Sequence, residues 1–524
     1  MRSWVPIRSW GKARVDGLVG FYFDFGVCFL YFTDRQGRIG RIGRFKERVI
    51  MQIAFKGSNR KPKVVVAGAS GFIGRALGPA LSERFRVVGL SRLTQEAAAG
   101  YDEFVNVDLF YRPSVEQALR GAEMAVYLVH SMMPSAHLVQ GGFQDLDLLC
   151  ADNFARAAAK AGVKHIVYVG GLLPRSREVS KHVESRLEVE AALGSTGVPV
   201  TTLRAGMIIG PGGSLYEMLA RLVRRIPVMI CPSWTRTKMQ PVSLKDVVSA
   251  ISTVIEERPV GRRVFDVGGP ERISYRQLMR KVADSWGLRR IMVPVPFLTP
   301  GLSRLWVSLT TGAPKALAAP LIESLAHDML ARKGSGHQLL GLNPEGIDKM
   351  LVDAARASTT QPVVPNAFQP PRDTKHRSRV CTVQRIRLPL GRNASWTAHM
   401  YFSWLPRAMY GLVRVEEGGG QLKRLVFVPT GHLLLELTAS PEESSSDCHV
   451  FRVSGGSLVK NPNVGRLEFR QLSDARTLLV SVLDFEPVLP PWLYRFTQGL
   501  VHASTMKQFA GFMSKSGMLG RVQI

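Results

Sequence analysis

Short apolar runs alternating with amphipathic helical stretches, between Lys61 and about Arg290, constrain this chain more than any other feature. The runs are 64–67, 87–90, 104–107, 125–129, 166–169 and 200–203, and the helical spacings fall at 74–84, 114–120, 143–162, 181–194 and 214–225. A continuous apolar strand is one buried on both faces, and a strand–helix–strand repeat closes as a right-handed crossover. The expected fold class is therefore α/β, a doubly wound parallel sheet with helices on each side.

The first run ends in Gly68-Ala69-Ser70-Gly71-Phe72-Ile73-Gly74 and then turns helical. In that setting the three glycines have separate duties: Gly68 makes the tight turn, Gly71 lets backbone approach a pyrophosphate, and Gly74 brings helix close to strand. Ser70, Phe72 and Ile73 complete the loop, and the helix start offers free N–H groups to the phosphates. This is the dinucleotide-binding pattern of a Rossmann domain. The second run ends Gly89-Leu90-Ser91-Arg92, with no Asp or Glu for the ribose hydroxyls. Ser91 and Arg92 suit a 2′-phosphate, which favours NADP(H) over NAD(H). Asp108 follows the third run and can accept from an adenine amino group or open a helix. Val129 and His130, with Ser131, follow the fourth run at the edge where such sheets face their cofactor. Polar residues there also serve simply to end a strand.

The glycine loop, Asp108, Asn153 and the segment LRAGMIIGPG at 203–212 together resemble the extended or atypical short-chain dehydrogenase/reductases. The resemblance is closest to the atypical NAD(P)H-binding branch that includes NmrA-like regulators and the nucleotide-binding accessory subunit of respiratory complex I. It spans roughly 61–290, with TKMQPVSLKDV at 237–247 inside it. It implies a catalytic Ser after the fifth strand and a Tyr-x-x-x-Lys pair on the next helix. Gly170 and Gly171 stand at the first place, and no tyrosine occurs between Tyr168 and Tyr216. His182 and Arg186 carry the same four-residue spacing on one helical face. Two readings stay open: His182 relays a proton while Arg186 holds a ribose or an anionic substrate, or both are structural charges beside a retained nucleotide.

Beyond this domain, 291–357 reads as a helical extension punctuated by prolines. Its stretch 293–325, with Trp306, Arg304 and Lys315, is a lid over the nucleotide domain or an interfacial membrane surface. Residues 358–379 are polar and proline-rich, the composition of a linker. From about Val380 the period changes to two. Leu467 and Phe469 alternate with Arg466, Glu468 and Arg470; strand-like runs lie at 425–428, 433–437 and 478–483. After Pro490 and Pro491 a helical face reads Leu493, Phe496, Leu500, Ala503 and Met506, continuing to Phe509 and Met513. Residues 380–524 thus form an α+β unit, and they resemble the START-like helix-grip fold. That resemblance implies an apolar ligand cavity between sheet and helix, against the plainer reading of a solid core.

The chain carries 69 Lys and Arg against 41 Asp and Glu, a formal charge of +28. The plain reading is a solvated surface. Anionic lipid or phosphorylated small molecules are compatible partners, and nucleic acid is disfavoured because no DNA- or RNA-reading motif accompanies the charge. Five dispersed cysteines without a C-x-x-C pair indicate neither a disulfide framework nor a metal site, and suit a reducing cytoplasm. The apolar stretch 17–32 is broken by Asp24, a poor match to a signal peptide or membrane span. The basic extension 1–60 reads as unstructured, or as preceding a true start near Met51. Taken together, the expected protein is a cytoplasmic NAD(P)H-binding oxidoreductase, which could sit peripherally on the inner face of a membrane. Its substrate would be a hydrophobic carbonyl or a quinone-like molecule. The alternative is an inactive redox sensor or assembly factor contacting a protein complex.

Overall fold

The computed structural model describes residues 61–519 apart from 93–98, 131–137, 175–178, 259–260, 296–324, 326, 333–335, 361–378 and 420. It also describes four strands ahead of them, in a unit that ends at Pro62. These are β1 (Trp4–Pro6), β2 (Leu18–Asp24), β3 (Val27–Thr33) and β4 (Ile39–Phe45), which form an antiparallel meander. The extension expected to be unstructured therefore carries a sheet. Phe, Tyr and Val crowd its two central strands, and such residues fit a pleated surface.

The second unit starts at Lys63. Its first strands and helices are β5 (Lys63–Ala67), α1 (Phe72–Leu81), β6 (Arg86–Ser91), β7 (Glu103–Asn106), α2 (Arg112–Leu119) and β8 (Met124–Tyr127). Then come β9 (Leu138–Gln140), α3 (Phe143–Lys160), β10 (His165–Gly171), α4 (Lys181–Leu193), β11 (Val200–Ala205), α5 (Ser214–Arg225), β12 (Val228–Cys231), α6 (Leu244–Glu257) and β13 (Arg263–Val267). Seven of these strands make one parallel sheet in the order β13-β11-β10-β8-β5-β6-β7. The order reverses between β5 and β8, and their carboxyl ends border the crevice in which such sheets bind ligands. Val64, Val66, Val126 and Val167 pack toward α1 and α6, while Val65, Ala125, Tyr127 and Tyr168 pack toward α2 and α3. Both faces are buried, which explains the continuous apolar runs.

After α7 (Tyr275–Ser285), the segment expected to be helical opens with a strand, β14 (Ile291–Pro294), paired in parallel with β12. Its Ile, Met and Val side chains favour an extended backbone, and Pro294 cannot continue a helix. Helix α8 (Ile347–Thr360) does form. The lid or interfacial reading of 293–325 falls almost wholly outside the described residues, as does the linker reading of 358–379.

The C-terminal domain contains β15 (Val380–Arg387), α9 (Ala394–Ala408), β16 (Val413–Gly418), β17 (Leu422–Phe427), β18 (His432–Ala439), β19 (Cys448–Gly455), β20 (Arg466–Gln471) and β21 (Thr477–Phe485). Two helices follow, α10 (Pro491–Phe496) and α11 (Gln498–Leu519). The strands form an antiparallel sheet, β16-β17-β18-β19-β20-β21-β15, and β9 of the nucleotide domain adds to its edge in parallel with β15. One face of the sheet packs on α9 and α11 through Val380, Ile386, Leu467, Phe469, Leu478 and Phe509. The other face meets the nucleotide domain: Cys381, Val383, Leu479 and Leu483 share a core with Leu149 and Phe154 of α3.

That second contact explains the charged half of the β20 alternation. Arg466, Glu468 and Arg470 do not face water; they are buried where the sheet meets the nucleotide domain. Arg470 donates to Asp152 and to Glu468, both at 3.0 Å, and Arg466 donates to Glu468 (3.0 Å), Asp484 (3.0 Å) and the Phe110 carbonyl (2.8 Å). The C-terminal helical face also departs from its sequence reading. A break at Thr497 separates α10 from α11, so Met506, Phe509 and Met513 are buried while Phe496 and Leu500 are exposed.

Removing one member of a buried ion network strands its partners in the interior. Asp152 keeps Arg156 and Glu468 keeps Arg466, so Arg470→Ala should cost about 3 kcal/mol of unfolding free energy, the low end for such a deletion. Urea unfolding followed by circular dichroism measures this, and an unchanged midpoint would show that the network contributes nothing to stability.

Candidate functional site

The glycine loop is built as its spacing requires. Gly68 has φ +87°, a backbone that side-chain-bearing residues rarely adopt. A Cβ on Gly74 would lie 2.4 Å from the Gly68 carbonyl oxygen and 2.6 Å from that of Ala69, so the helix meets the loop only without one. A Cβ on Gly71 would meet the Gly68 oxygen alone, at 3.1 Å; its other side is open. Helix α1 begins at Gly71 with no side-chain cap and no acidic residue in its first turn. Its leading N–H groups and partial positive charge are thus left for an anion. A nucleotide pyrophosphate fits this cradle.

Around the loop, Ser91 is buried and donates to the Ser70 hydroxyl at 3.1 Å, tying the end of β6 to the glycine turn. Arg92 is exposed beside it. Asp108 does not cap α2, whose N-cap is Tyr111; its carboxylate accepts from the Phe110 N–H at 3.0 Å, closing an Asx turn. Asn153 is structural: buried on α3, it donates to the carbonyls of Leu109 and Phe110.

Beyond β8 the chain passes the loop closely, with Leu128 packed against Gly68 and its N–H donating to Ala67. Val129 is half-buried, His130 comes next, and Ser131 lies outside the described residues. His130 Nδ1 lies 2.5 Å from the carboxylate of Asp147, which is buried on α3 and also accepts from the Ser185 hydroxyl at 3.4 Å. The His182 ring from α4 sits 5.2 Å from that of His130, centroid to centroid. Ser180 caps α4, accepting from the Val183 N–H, and so starts the helix that carries His182 and Arg186 one turn apart. With the Nδ1–H of His130 given to Asp147, its Nε2 is an acceptor in the neutral ring. That Nε2 and Nδ1 of His182 are both buried, and neither has a hydrogen-bond partner among the described residues.

Electrostatics keep both rings neutral. Burial lowers the His130 pKa, the Arg186 guanidinium lowers it further, and Asp147 opposes them. Burial, His130 and Arg186 push His182 down to about 3. The two nearby phenols move the other way: burial raises Tyr127 and Tyr168, and the Tyr168 hydroxyl donates to the Arg186 carbonyl. Neither can exchange a proton near neutrality as a catalytic tyrosine does. Gly170 and Gly171 end β10, and space for a side chain at Gly171 is empty.

The structure therefore brings the expected His182 and Arg186 together with His130, and it adds Asp147 and Ser185, which sequence reasoning missed. Asp147 had a readable signal, a carboxylate inside the run Leu146-Asp147-Leu148-Leu149-Cys150 on a buried helix face. Ser185 had none.

Residues 68–221 match a family model described as NAD(P)H-binding. The matched segment contains the glycine loop and the helix that carries His182 and Arg186. Its curated relatives include the auxiliary protein GraX of Staphylococcus aureus, 31% identical over 27% of this chain and 43% of that protein. The chain thus spans under half the length of that relative. Sanguinarine reductase of Eschscholzia californica is 26% identical, covering 40% of this chain and 90% of the relative. Ceramide reductase of Caulobacter vibrioides is also 26% identical, covering 47% and 79%. Among solved structures, a Citrobacter triphenylmethane reductase complexed with NADP(H) is 17% identical, covers 56% of this chain and 99% of its own, and has a TM-score of 0.45.

The depressed histidines give the protein an acid-sensitive stability. His182 at about 3, with His165 and His502 each at about 4, binds protons more weakly in the fold than in the unfolded chain, where a histidine titrates at about 6.5. The unfolded state therefore gains protons first as pH falls, and this stabilisation is whole above about pH 6.5 and lost progressively below it. Melting temperature should fall between neutral pH and about pH 4.5, and His182→Gln should flatten part of that fall. Identical slopes in the two proteins would show that His182 is not held neutral.

Proposed function

We propose that this chain is an NADP(H)-preferring oxidoreductase acting on a hydrophobic carbonyl or quinone-like substrate, with a paired-histidine site in place of Tyr-x-x-x-Lys. The observation that carries the reading is the pair of buried ring nitrogens, His130 Nε2 and His182 Nδ1, that have no partner among the described residues, just past the carboxyl end of β8, with Asp147 orienting one ring. Two relatives named as reductases support the reaction class.

In this reading Gly68, Ser70, Gly71, Phe72, Ile73 and Gly74 receive the pyrophosphate, and Ser91 and Arg92 receive a 2′-phosphate. Asp108 borders the adenine end, with Val129 and His130 at the nicotinamide end. The nucleotide, when bound, supplies hydride-transfer capacity. The protein's part is to orient and polarise the substrate oxygen through a hydrogen bond. The proton that oxygen gains after hydride transfer comes from water, because a neutral imidazole N–H is too weak an acid to give its own proton up. His182, neutral, donates from Nδ1 to that oxygen, as a neutral imidazole can in a water-poor site. His130 accepts at Nε2 and orders the facing group, while Asp147 and Ser185 fix its ring. Arg186 adds a positive charge that favours developing negative charge on the substrate.

Two measurements test this. Arg92→Ala should weaken NADPH binding roughly ten- to hundredfold and leave NADH binding unchanged, since a charge-assisted contact to the extra phosphate is lost. Equal weakening of both nucleotides would remove the NADP(H) preference. With a panel of apolar aldehydes, ketones and quinones, His182→Gln should lower kcat by about a hundredfold or more without changing nucleotide affinity. Tight NADPH binding with no turnover of any panel member would favour the other reading, a nucleotide-binding sensor or accessory protein.

A further inference from the structure

Helix α10 and the first turn of α11 expose an apolar face that the core of the C-terminal domain does not cover. Trp492 and Phe496 are 67% and 75% exposed, and Leu500 and Val501 are 59% and 52% exposed. A tryptophan, a phenylalanine and a leucine at 492, 496 and 500 are too much apolar surface in one place for water alone. Tyr494 points the other way, buried among the core side chains, so α10 is anchored with its apolar edge outward.

Three observations say what covers this face. The first is charge: Arg495 is exposed between Trp492 and Phe496, and residues 487–524 contain four Lys and Arg and no Asp or Glu. The second is residue type, because an indole and a phenyl ring beside a guanidinium suit the boundary between lipid headgroups and acyl chains. The third is continuity with the interior. Between the sheet and α11 lies a cavity of about 420 Å³, lined mainly by apolar groups such as Phe402, Leu437 and Val482. Val501 is at once exposed and part of that lining, so the apolar face adjoins the cavity. No helix among the described residues is long and apolar enough to cross a membrane; the contact is with a surface.

We infer that α10 and the first turn of α11 dock on an anionic lipid bilayer, with Trp492, Phe496 and Leu500 inserted at the headgroup boundary and Arg495 paired with lipid phosphate. The inference is independent of the reaction proposed above, since none of these residues belongs to the nucleotide site.

The experiment is flotation of the full chain with phosphatidylcholine vesicles, with and without phosphatidylglycerol, at physiological ionic strength. The protein should float with the phosphatidylglycerol vesicles and much less with phosphatidylcholine alone. The combined variant Trp492→Ser, Arg495→Gln, Phe496→Ser should lose roughly tenfold to hundredfold in partitioning, the scale set by withdrawing two aromatic side chains from an apolar phase. Lys164→Gln, which removes one exposed positive charge from the nucleotide domain, should leave partitioning unchanged. Unaltered NADPH binding shows that the combined variant is folded. Absence of wild-type binding overturns the inference. So does equal binding by the combined variant, which would assign the attraction to overall charge. A homodimer in light scattering that the combined variant dissociates would make the face a protein interface and overturn it as well.

Discussion

The ion network centred on Arg470 and Asp152 is the interaction on which the arrangement of the second unit depends. It makes α3 common to two folds. Along one side of that helix, Asp145 pairs with Arg385, Asp152 with Arg470, and Arg156 with Asp447, all three partners belonging to the C-terminal domain. From another side, Asp147 reaches into the nucleotide domain and holds His130. Apolar contact between α3 and the sheet gives adhesion, but it permits sliding. Buried charges do not, because each displaced partner would be left desolvated and unpaired. The network thereby sets the register between the C-terminal sheet and the helix that positions the site.

A second tie runs through the backbone. The chain leaving His130 returns as β9 on the edge of β15, with Leu138 opposite Val380 and Gln140 opposite Thr382. Thr382 in turn lies 3.0 Å from His502 Nε2, and His502 borders the apolar cavity. Strand β9, which begins eight residues after His130, and β15, whose Thr382 meets a residue of the cavity wall, are therefore one hydrogen-bonded piece. An edge strand offers unpaired backbone groups to whatever can extend it, and here the nucleotide domain supplies the extension.

The cluster of His130, His182 and Arg186 stands where the family resemblance implied a Tyr-x-x-x-Lys pair. Tyr127 and Tyr168 lie close by, yet burial raises both phenols by more than the Arg186 charge lowers them. The same burial has the opposite effect on imidazole, whose charged form is the protonated one. His130 and His182 are consequently neutral, able to donate or accept at neutral pH without first losing a proton.

Much of this was legible in the amino-acid sequence. Six of the seven parallel strands, helices α1 to α5 and the duties of Gly68 and Gly74 follow from apolar periodicity and from where a side chain cannot fit, whereas α6 was not read from the sequence. The missed strand, β13, has a half-exposed edge position and an Arg at its start, so it lacks a continuous apolar run. The pairing of His182 with Arg186 was legible because four-residue spacing on a helix fixes a common face. The approach of His130, Asp147 and Ser185 to them was not, since those residues come from separate elements that only packing brings together. Likewise the alternation of Arg466, Glu468 and Arg470 with Leu467 and Phe469 gave a strand with two unlike faces. It could not say that the charged face would be buried. Local sequence determined periods, turns and the phosphate loop, because these depend on near neighbours along the chain. The fate of the charges and the composition of the site were decided by tertiary structure, because burial and pairing depend on what lies across a domain contact more than three hundred residues away in the chain, as between Asp152 and Arg470.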